Sequence, residues 1–314
     1  MAGFNKKTFL NYSLFIFAVL IALMIFIPEA YSASPGPEKL EENIDANPLI
    51  PDLTKEEELR EKLVEEAVEI LETYYVEEPP HDIQDAESLE ELFEILDDPY
   101  TMYLSEKEKE EFAEYSGDPV NGKVIADSLG YIQIKEFSEN SSEDFKQVII
   151  ELLEEDIQGW VVNLRGNPGG TVEDAGKILG HFVGEQDIVV AENYREQIIC
   201  GSKATEPQLE KPAVFLVDRR SASAAEMFAY AIKNQNRGLV IGEKTFGKGT
   251  VQNLFPLSEG GGLLTTIYEV KTLDGKTIEG KGIEPHFDLT DIAIKTEILK
   301  TTKRSLIKDV LSDN

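Results

Sequence analysis

The chain has 314 residues, 60 of them acidic and 30 basic, for a formal net charge of -30. That length fits one large domain or two small ones, and that charge argues against nucleic acid or an anionic membrane surface as a partner. The single cysteine, Cys200, excludes an intrachain disulfide and a structural zinc site built on cysteines.

In residues 1–33 the basic "NKK" is followed by an apolar run from Leu14 to Ile27, then Pro28 and "EAYSAS". This is the pattern of an export signal, with a cut expected after Ser32 or Ala33. With Phe9 and Leu10 ahead of it, the run is also nearly long enough for an uncleaved membrane anchor. Either way the remainder lies outside the cytoplasm, because the lysines stay inside. Residues 34–54, rich in Pro, Glu and Asn, read as a linker.

From Thr54 to about Tyr75, Leu59, Leu63, Ala67, Ile70 and Leu71 recur at helical spacing. Thr54 with Glu57 has the form of a capping box. "ESLEELFEIL" and "SEKEKEEFAEY" predict two further acidic helices, with "DDPYTMYLS" as a turn between them. Residues 55–116 are thus expected to form a small helical module. From Gly130 strands and helices alternate. The strands are "GYIQIKEF", "GWVVNLRG", "AVFLVD" and "GLVIGE". The helices run from about Asp144 to Glu155, Val172 to Val183 and Ser223 to Asn234. Such alternation predicts an α/β core over residues 117–290 with largely parallel pairing. After Thr250 strands and glycine turns are expected, and residues 291–314 read as a helical tail.

"GEKTFGKGT", residues 242–250, comes close to a phosphate-binding P-loop. A P-loop needs a helix after it and a hydroxyl directly after the lysine. Here Gly249 follows Lys248, and "TVQNLFPLSEGGG" reads as a strand and a turn, so nucleotide binding is not expected. A solvated lysine on a hairpin and a chemical role for Lys248 both remain open on this stretch.

Sites in α/β sheets gather at the carboxyl ends of strands. One such end is "LRGNPGG", whose glycines expose backbone N–H groups at a helix start. It suits an oxyanion or a plain tight turn. The other is "VDRRSASAAEMFA". Ser223 with Glu226 fits a capping box, yet a helix N-terminus also favours the charge formed when a serine attacks. A nucleophile needs a base. The three histidines, His81, His181 and His286, lie outside the two stretches that look like a site. A neutral lysine can serve instead. Lys248 sits at a strand end, with Phe246, Val251 and Phe255 near enough in sequence to exclude water and Gln252 four residues on. A free lysine has a pKa of about 10.4, so a base working near pH 7.5 needs a depression of roughly three units. Carboxylates oppose that shift, so Lys248 is expected to be dry and far from Asp and Glu.

"GYIQIKEFSENSSEDF", "GWVVNLRGNPGG", "SASAAE", "GEKTFGKGTVQ" and "GKGIEP" occur in the order found in carboxy-terminal processing peptidases, also called tail-specific proteases. "LDDPYTMYLSEKEKEEF" resembles the segment before their PDZ domain, and the resemblance spans roughly residues 55–290. It implies a ClpP/crotonase-like peptidase core preceded by the helical module. It further implies a Ser-Lys dyad with Ser223 as nucleophile, Lys248 as base and Gln252 as the residue that orients the base. The oxyanion donors would be the backbone amides of Gly166 or its neighbours and of Ala224. No metal or organic cofactor is implied, and the partners are polypeptide substrates, with a homodimer through the N- and C-terminal helices as a further expectation.

The chain departs from the family in three places. Arg219 and Arg220 stand where small residues are common, and His286 stands where an acid is usual. Only about a dozen residues, "SGDPVNGKVIADSL", join the "DPY" segment to the strand "GYIQI", so no PDZ domain is expected between them. The reading is an exported or membrane-anchored serine endopeptidase with a Ser-Lys dyad. Its rivals are a non-catalytic peptide- or ligand-binding relative of the same fold and a structural partner in an envelope assembly.

Overall fold

The computed structural model describes residues 53–113, 118–126 and 128–290. The signal or anchor segment 1–33, nearly all of the linker and the tail from residue 291 lie outside the described residues, as do the side chains of Thr54 and Glu57. Among the described residues no helix is long and apolar enough to cross a membrane. The chain divides into two compact units. Described residues 118–251 and 268–290 form one, and 53–113 with 252–267 form the other.

The first unit is built on a six-stranded sheet. Its strands are β2 (Val120–Ile125), β3 (Leu129–Ile134), β4 (Gly159–Asn163), β7 (Ala213–Val217), β8 (Leu239–Gly242) and β11 (Phe287–Asp288), in the order β11-β8-β7-β4-β3-β2. All pairings are parallel except β2 with β3. Helix α4 (Ser141–Leu153) connects β3 to β4, and α6 (Ala224–Asn234) connects β7 to β8. Parallel strands covered on both faces carry near-continuous apolar runs, and every residue of β4 and β7 is buried. Successive side chains point to opposite faces. Trp160, Val162, Phe215 and Val217 therefore enter the larger core beside the helices, and Val161, Val214 and Leu216 enter a smaller one on the other face.

Helix α5 (Val172–Val183) follows the loop after β4. It has Thr171 as N-cap and Gly184 as C-cap, the asymmetry expected of helix ends. After it come β5 (Gln186–Glu192) and β6 (Gln197–Ser202), an antiparallel hairpin with a bulge between Asp187 and Val189. The sequence reading assigned no strands there. Gln186, Asp187 and residues 197–199 are exposed, so the polar-apolar alternation is weak. The hairpin is completed by the second half of β10 (Gly262–Thr272), where Glu269–Thr272 pair with Val189–Glu192.

The second unit contains α1 (Leu53–Tyr74), a 3-10 turn at His81–Asp85, α2 (Leu89–Leu96) and α3 (Glu106–Ala113). Ala67, Leu71, Ile83, Leu92, Leu257 and Leu263 form its core. Two strands complete it, β1 (Met102–Leu104) and β9 (Thr250–Pro256), each pairing with β10. The expected turn "DDPYTMYLS" thus holds a short strand, anchored by the buried Thr101 hydroxyl against Asp98 (2.6 Å) and Thr265 (3.1 Å). Residues 252–267 group with the helices rather than with the α/β core.

Candidate active site

Two loops leave the carboxyl ends of β4 and β7, and buried side chains bind them together. Asn167 is wholly buried. Its amide donates to the Ile134 carbonyl (3.0 Å), its side-chain oxygen accepts Gly169 N–H (2.8 Å) and its own carbonyl accepts Ala222 N–H (3.0 Å). Ser221 Oγ donates to the Leu164 carbonyl (2.8 Å) and accepts Asp218 N–H (3.0 Å). Such fully satisfied buried networks fix a unique loop geometry. Gly169 has φ 108°, and a Cβ there would lie 2.7 Å from Ser223 Cβ and 3.1 Å from Ala224 N. Only glycine allows that approach, so the "NPGG" backbone lies directly against Ser223.

Ser223 is the N-cap of α6, with φ 53° and ψ -120°. A non-glycine residue in this region costs of order 1–3 kcal/mol and persists only where its surroundings enforce it. Ala224 is the first residue of the helix, so its N–H is among those with no intrahelical acceptor. The helix behind it is apolar and packed, with Ala224, Ala225, Phe228, Ala229 and Ile232 all in the larger core.

The surroundings that enforce Ser223 include one side chain, Glu226, which has no exposed surface. Its Oε2 accepts Ser223 N–H (3.0 Å) and Lys248 N–H (2.8 Å). Its Oε1 accepts the Thr245 hydroxyl (2.5 Å) and Gly247 N–H (2.8 Å). Burial pushes this carboxyl above its ordinary pKa, and the four donors oppose that shift. The segment bearing Lys248 is fastened on its other side too. Gly249 N–H donates to Glu279 Oε2 (2.6 Å), the Gly249 carbonyl accepts Val270 N–H (2.7 Å) and the Gly247 carbonyl accepts Gly280 N–H (2.9 Å). Lys248 itself is half-buried.

The sequence model described as peptidase family S41 matches residues 128–289, which is half of the chain and holds both loops. The chain belongs to peptidase family S41. Curated relatives include the carboxy-terminal processing protease CtpB of Bacillus subtilis, 39% identical over 165 residues, an alignment covering 52% of this chain and 34% of that protein. The carboxyl-terminal-processing protease of a Synechocystis species is 34% identical over 158 residues, covering 50% and 37%. The chain therefore spans little more than a third of the length of these relatives. Among solved structures, the fold is similar to that of a photosystem II D1 C-terminal processing protease. The TM-score is 0.56 at 20% identity, over 72% of this chain and 92% of that one. It is also similar to a lipoprotein from Streptococcus agalactiae, with TM-score 0.59 at 16% identity, over 78% and 96%. At these identities the likeness concerns the fold.

Seen as an S41 chain, several residues differ from expectation. Gly166 N–H donates to Asp218 Oδ1 (2.8 Å), which also accepts Arg220 N–H (3.0 Å). That engagement occupies the Gly166 N–H, and the glycine that lies against Ser223 is Gly169. Arg219 and Arg220 are exposed, and Arg220 pairs with Asp218 (3.3 Å). The main chain at Lys248 and Gly249 donates its N–H groups to Glu226 and Glu279. Phe246, expected to exclude water, is 60% exposed. Phe255 instead stacks on Tyr74 within the helical unit (4.6 Å between centroids).

Gln252, which also belongs to the helical unit, donates to the Tyr100 carbonyl (2.6 Å). Two of the histidines serve the scaffold. His181 Nδ1 contacts the Pro207 carbonyl (2.8 Å), His286 Nδ1 accepts Val240 N–H (3.0 Å), and burial lowers the pKa of both. The residue that sequence reasoning underrated is Glu226. Its place three after Ser223 marked it as a cap, and nothing in the spacing pointed to residues 245–248.

Proposed function

We propose that the chain is a serine endopeptidase acting on polypeptides outside the cytoplasm, with Ser223 as nucleophile and Lys248 as general base. Lys248 Nζ takes the Ser223 hydroxyl proton as Oγ bonds to the scissile carbonyl carbon. The tetrahedral intermediate then collapses, the C–N bond breaks, and the leaving amine receives that proton. Water hydrolyses the acyl ester by the same transfers in reverse order. The oxyanion is met by Ala224 N–H and by an N–H of the Gly169–Gly170 turn. Gly170 is the better donor of the two, because Asn167 holds the Gly169 N–H. Gln252 keeps the assisting role that the family resemblance implies.

The observation that carries this reading is the Ser223 backbone. A cap residue needs no positive φ, and a nucleophile presented ahead of a helix dipole gains from one. The test is labelling of the purified chain by a serine-directed covalent probe, together with degradation of an unfolded protein. Ser223→Ala should be silent in both. A parent chain that neither labels nor degrades would instead be the binding relative of the same fold.

A narrow apolar pocket adjoins Ala224, lined by Val172, Ala175, Gly176, Leu179, Ala224 and Met227 among others. At about 10 Å³ it has room for roughly one water molecule, so it is a packing gap and not a substrate subsite. On the expectation that the short join before β3 leaves no PDZ domain to tether a tail, substrates differing in their last three residues should be cleaved at rates within about tenfold, or ~1.4 kcal/mol. A steeper dependence would place tail recognition elsewhere in the chain, with Arg219 and Arg220 the first residues to mutate.

A further inference from the structure

We propose that Glu226 is the positioning residue that sets the spacing of nucleophile and base, by holding the Ser223 and Lys248 main chains on one carboxylate oxygen. The inference rests on the dyad reading above and adds a role that the dyad does not contain.

Ser223 and Lys248 reach the site on separate loops, one after β7 and one after β8. Proton transfer needs hydrogen-bond reach between the Ser223 hydroxyl and the Lys248 amine, so a small shift of either loop would spoil it. Glu226 Oε2 receives both backbone N–H groups, at 3.0 and 2.8 Å. The two residues are thereby fixed to a common atom, independently of substrate. The second oxygen fastens the same loop at Thr245 and Gly247. Thr245 Oγ1 in turn accepts Ile283 N–H (2.6 Å), which extends the clamp to the "GKGIEP" turn. Four donors fill the four lone-pair positions of an ionised carboxylate. Glu226 is held in place by its helix, in which eight of the eleven residues are buried. Ser223 is held at its positive φ partly by this bond, so the clamp also maintains the presentation of the hydroxyl.

Donor geometry separates reach from charge. Oε2 faces two backbone N–H groups, which can only donate. Oε1 faces Gly247 N–H and a hydroxyl that can turn to accept. The amide of Glu226→Gln can therefore point its oxygen at Ser223 and Lys248 and its NH2 at Thr245, losing only the Gly247 bond. Glu226→Asp keeps the charge but is one methylene short and cannot span both loops. The clamp predicts that kcat falls by no more than about tenfold in the Gln variant and at least about a hundredfold in the Asp variant, with KM within threefold in each. A merely electrostatic role predicts the reverse order.

The experiment measures kcat and KM on an unfolded protein substrate for both variants, beside Ser223→Ala and Lys248→Ala. Amide exchange of the unsubstituted chain is followed in the peptides covering 221–226 and 245–250. The expected result is Gln above Asp, with slow exchange at Ser223, Gly247 and Lys248. An Asp variant equal to or above Gln, or both variants within threefold of the parent, overturns the clamp and leaves the dyad standing. Full activity in Ser223→Ala or Lys248→Ala overturns the dyad itself, whatever the Gln and Asp order. If the Asp variant does not fold, exchange decides, and unprotected amides at Ser223 and Lys248 in the parent chain overturn the clamp.

Discussion

Two helix starts in this molecule share one sequence grammar and differ in what they do. Helix α5 opens with Thr171 as N-cap and Asp174 at the third position, and α6 opens with Ser223 and Glu226 in the same places. Both follow loops at strand ends. At Thr171 the backbone is extended, φ -69° and ψ 129°, and its hydroxyl caps Asp174 N–H. The Asp174 carboxylate reaches 32 positions back to the start of α4, taking Ser142 N–H (3.2 Å) and the Ser142 hydroxyl (2.6 Å), besides the Thr171 hydroxyl (3.0 Å). At Ser223 the backbone is strained, and the acid reaches 21 and 22 positions along the chain to Gly247 and Lys248. Hydroxyl and acid at capping spacing therefore do not separate a cap from a site. The backbone angle of the hydroxyl residue does, since both acids bind segments far along the chain.

The comparison breaks first at Ser223 and Lys248. Ser223→Ala and Lys248→Ala should each lower turnover by at least about a thousandfold, the scale on which removing a member of such a catalytic unit is felt, with the fold intact by circular dichroism. Ser223→Gly should be as inactive but more stable than Ser223→Ala by about 1 kcal/mol, because glycine tolerates φ 53°. Equal denaturation midpoints for the two variants would mean that the strain is not there.

A smaller loss is expected at Gln252. Gln252→Ala should cost about a hundredfold, as for a group that assists proton transfer without carrying the proton. The pH profile sharpens the same point. A lysine base acts in its neutral form, so the rate should rise with pH. A flat profile, or an optimum below pH 6, would count against Lys248 as base.

Much of this was legible in the sequence, for reasons particular to each element. Helix α5 was read at its observed limits because Thr171 and Gly184 punctuate both ends. Strands β4 and β7 were legible as unbroken apolar runs. The β5–β6 hairpin was not, because its outer strand exposes Ile198 and Ile199 in succession and shows no alternation of buried and exposed residues. Residues 252–267 look like core strands by alternation, and their membership of the helical unit depends on contacts of Leu257 and Leu263 far along the chain. The site was half legible. Ser223 and Lys248 stood out by position and resemblance, whereas the links among Glu226, Thr245, Gly247 and Lys248 join residues that only the fold brings together.

The smallest expected effect is at the other helix start, and it is the one that tests whether the two starts differ. Thr171→Ala removes the cap of α5, a change that costs ~1 kcal/mol at a typical helix. Asp174 keeps two of its donors from Ser142, so its buried carboxylate is not left unpaired, and the larger penalty of an unsatisfied charge does not apply. Thr171 N–H remains bonded to the Phe137 carbonyl (2.6 Å), which preserves the course of the "NPGG" turn. The denaturation midpoint should therefore drop while kcat and KM stay within about twofold of the parent. A loss of turnover comparable to that of Ser223→Ala would show that the α5 start belongs to the catalytic machinery. The distinction between an extended cap residue and a strained one would then have to be abandoned.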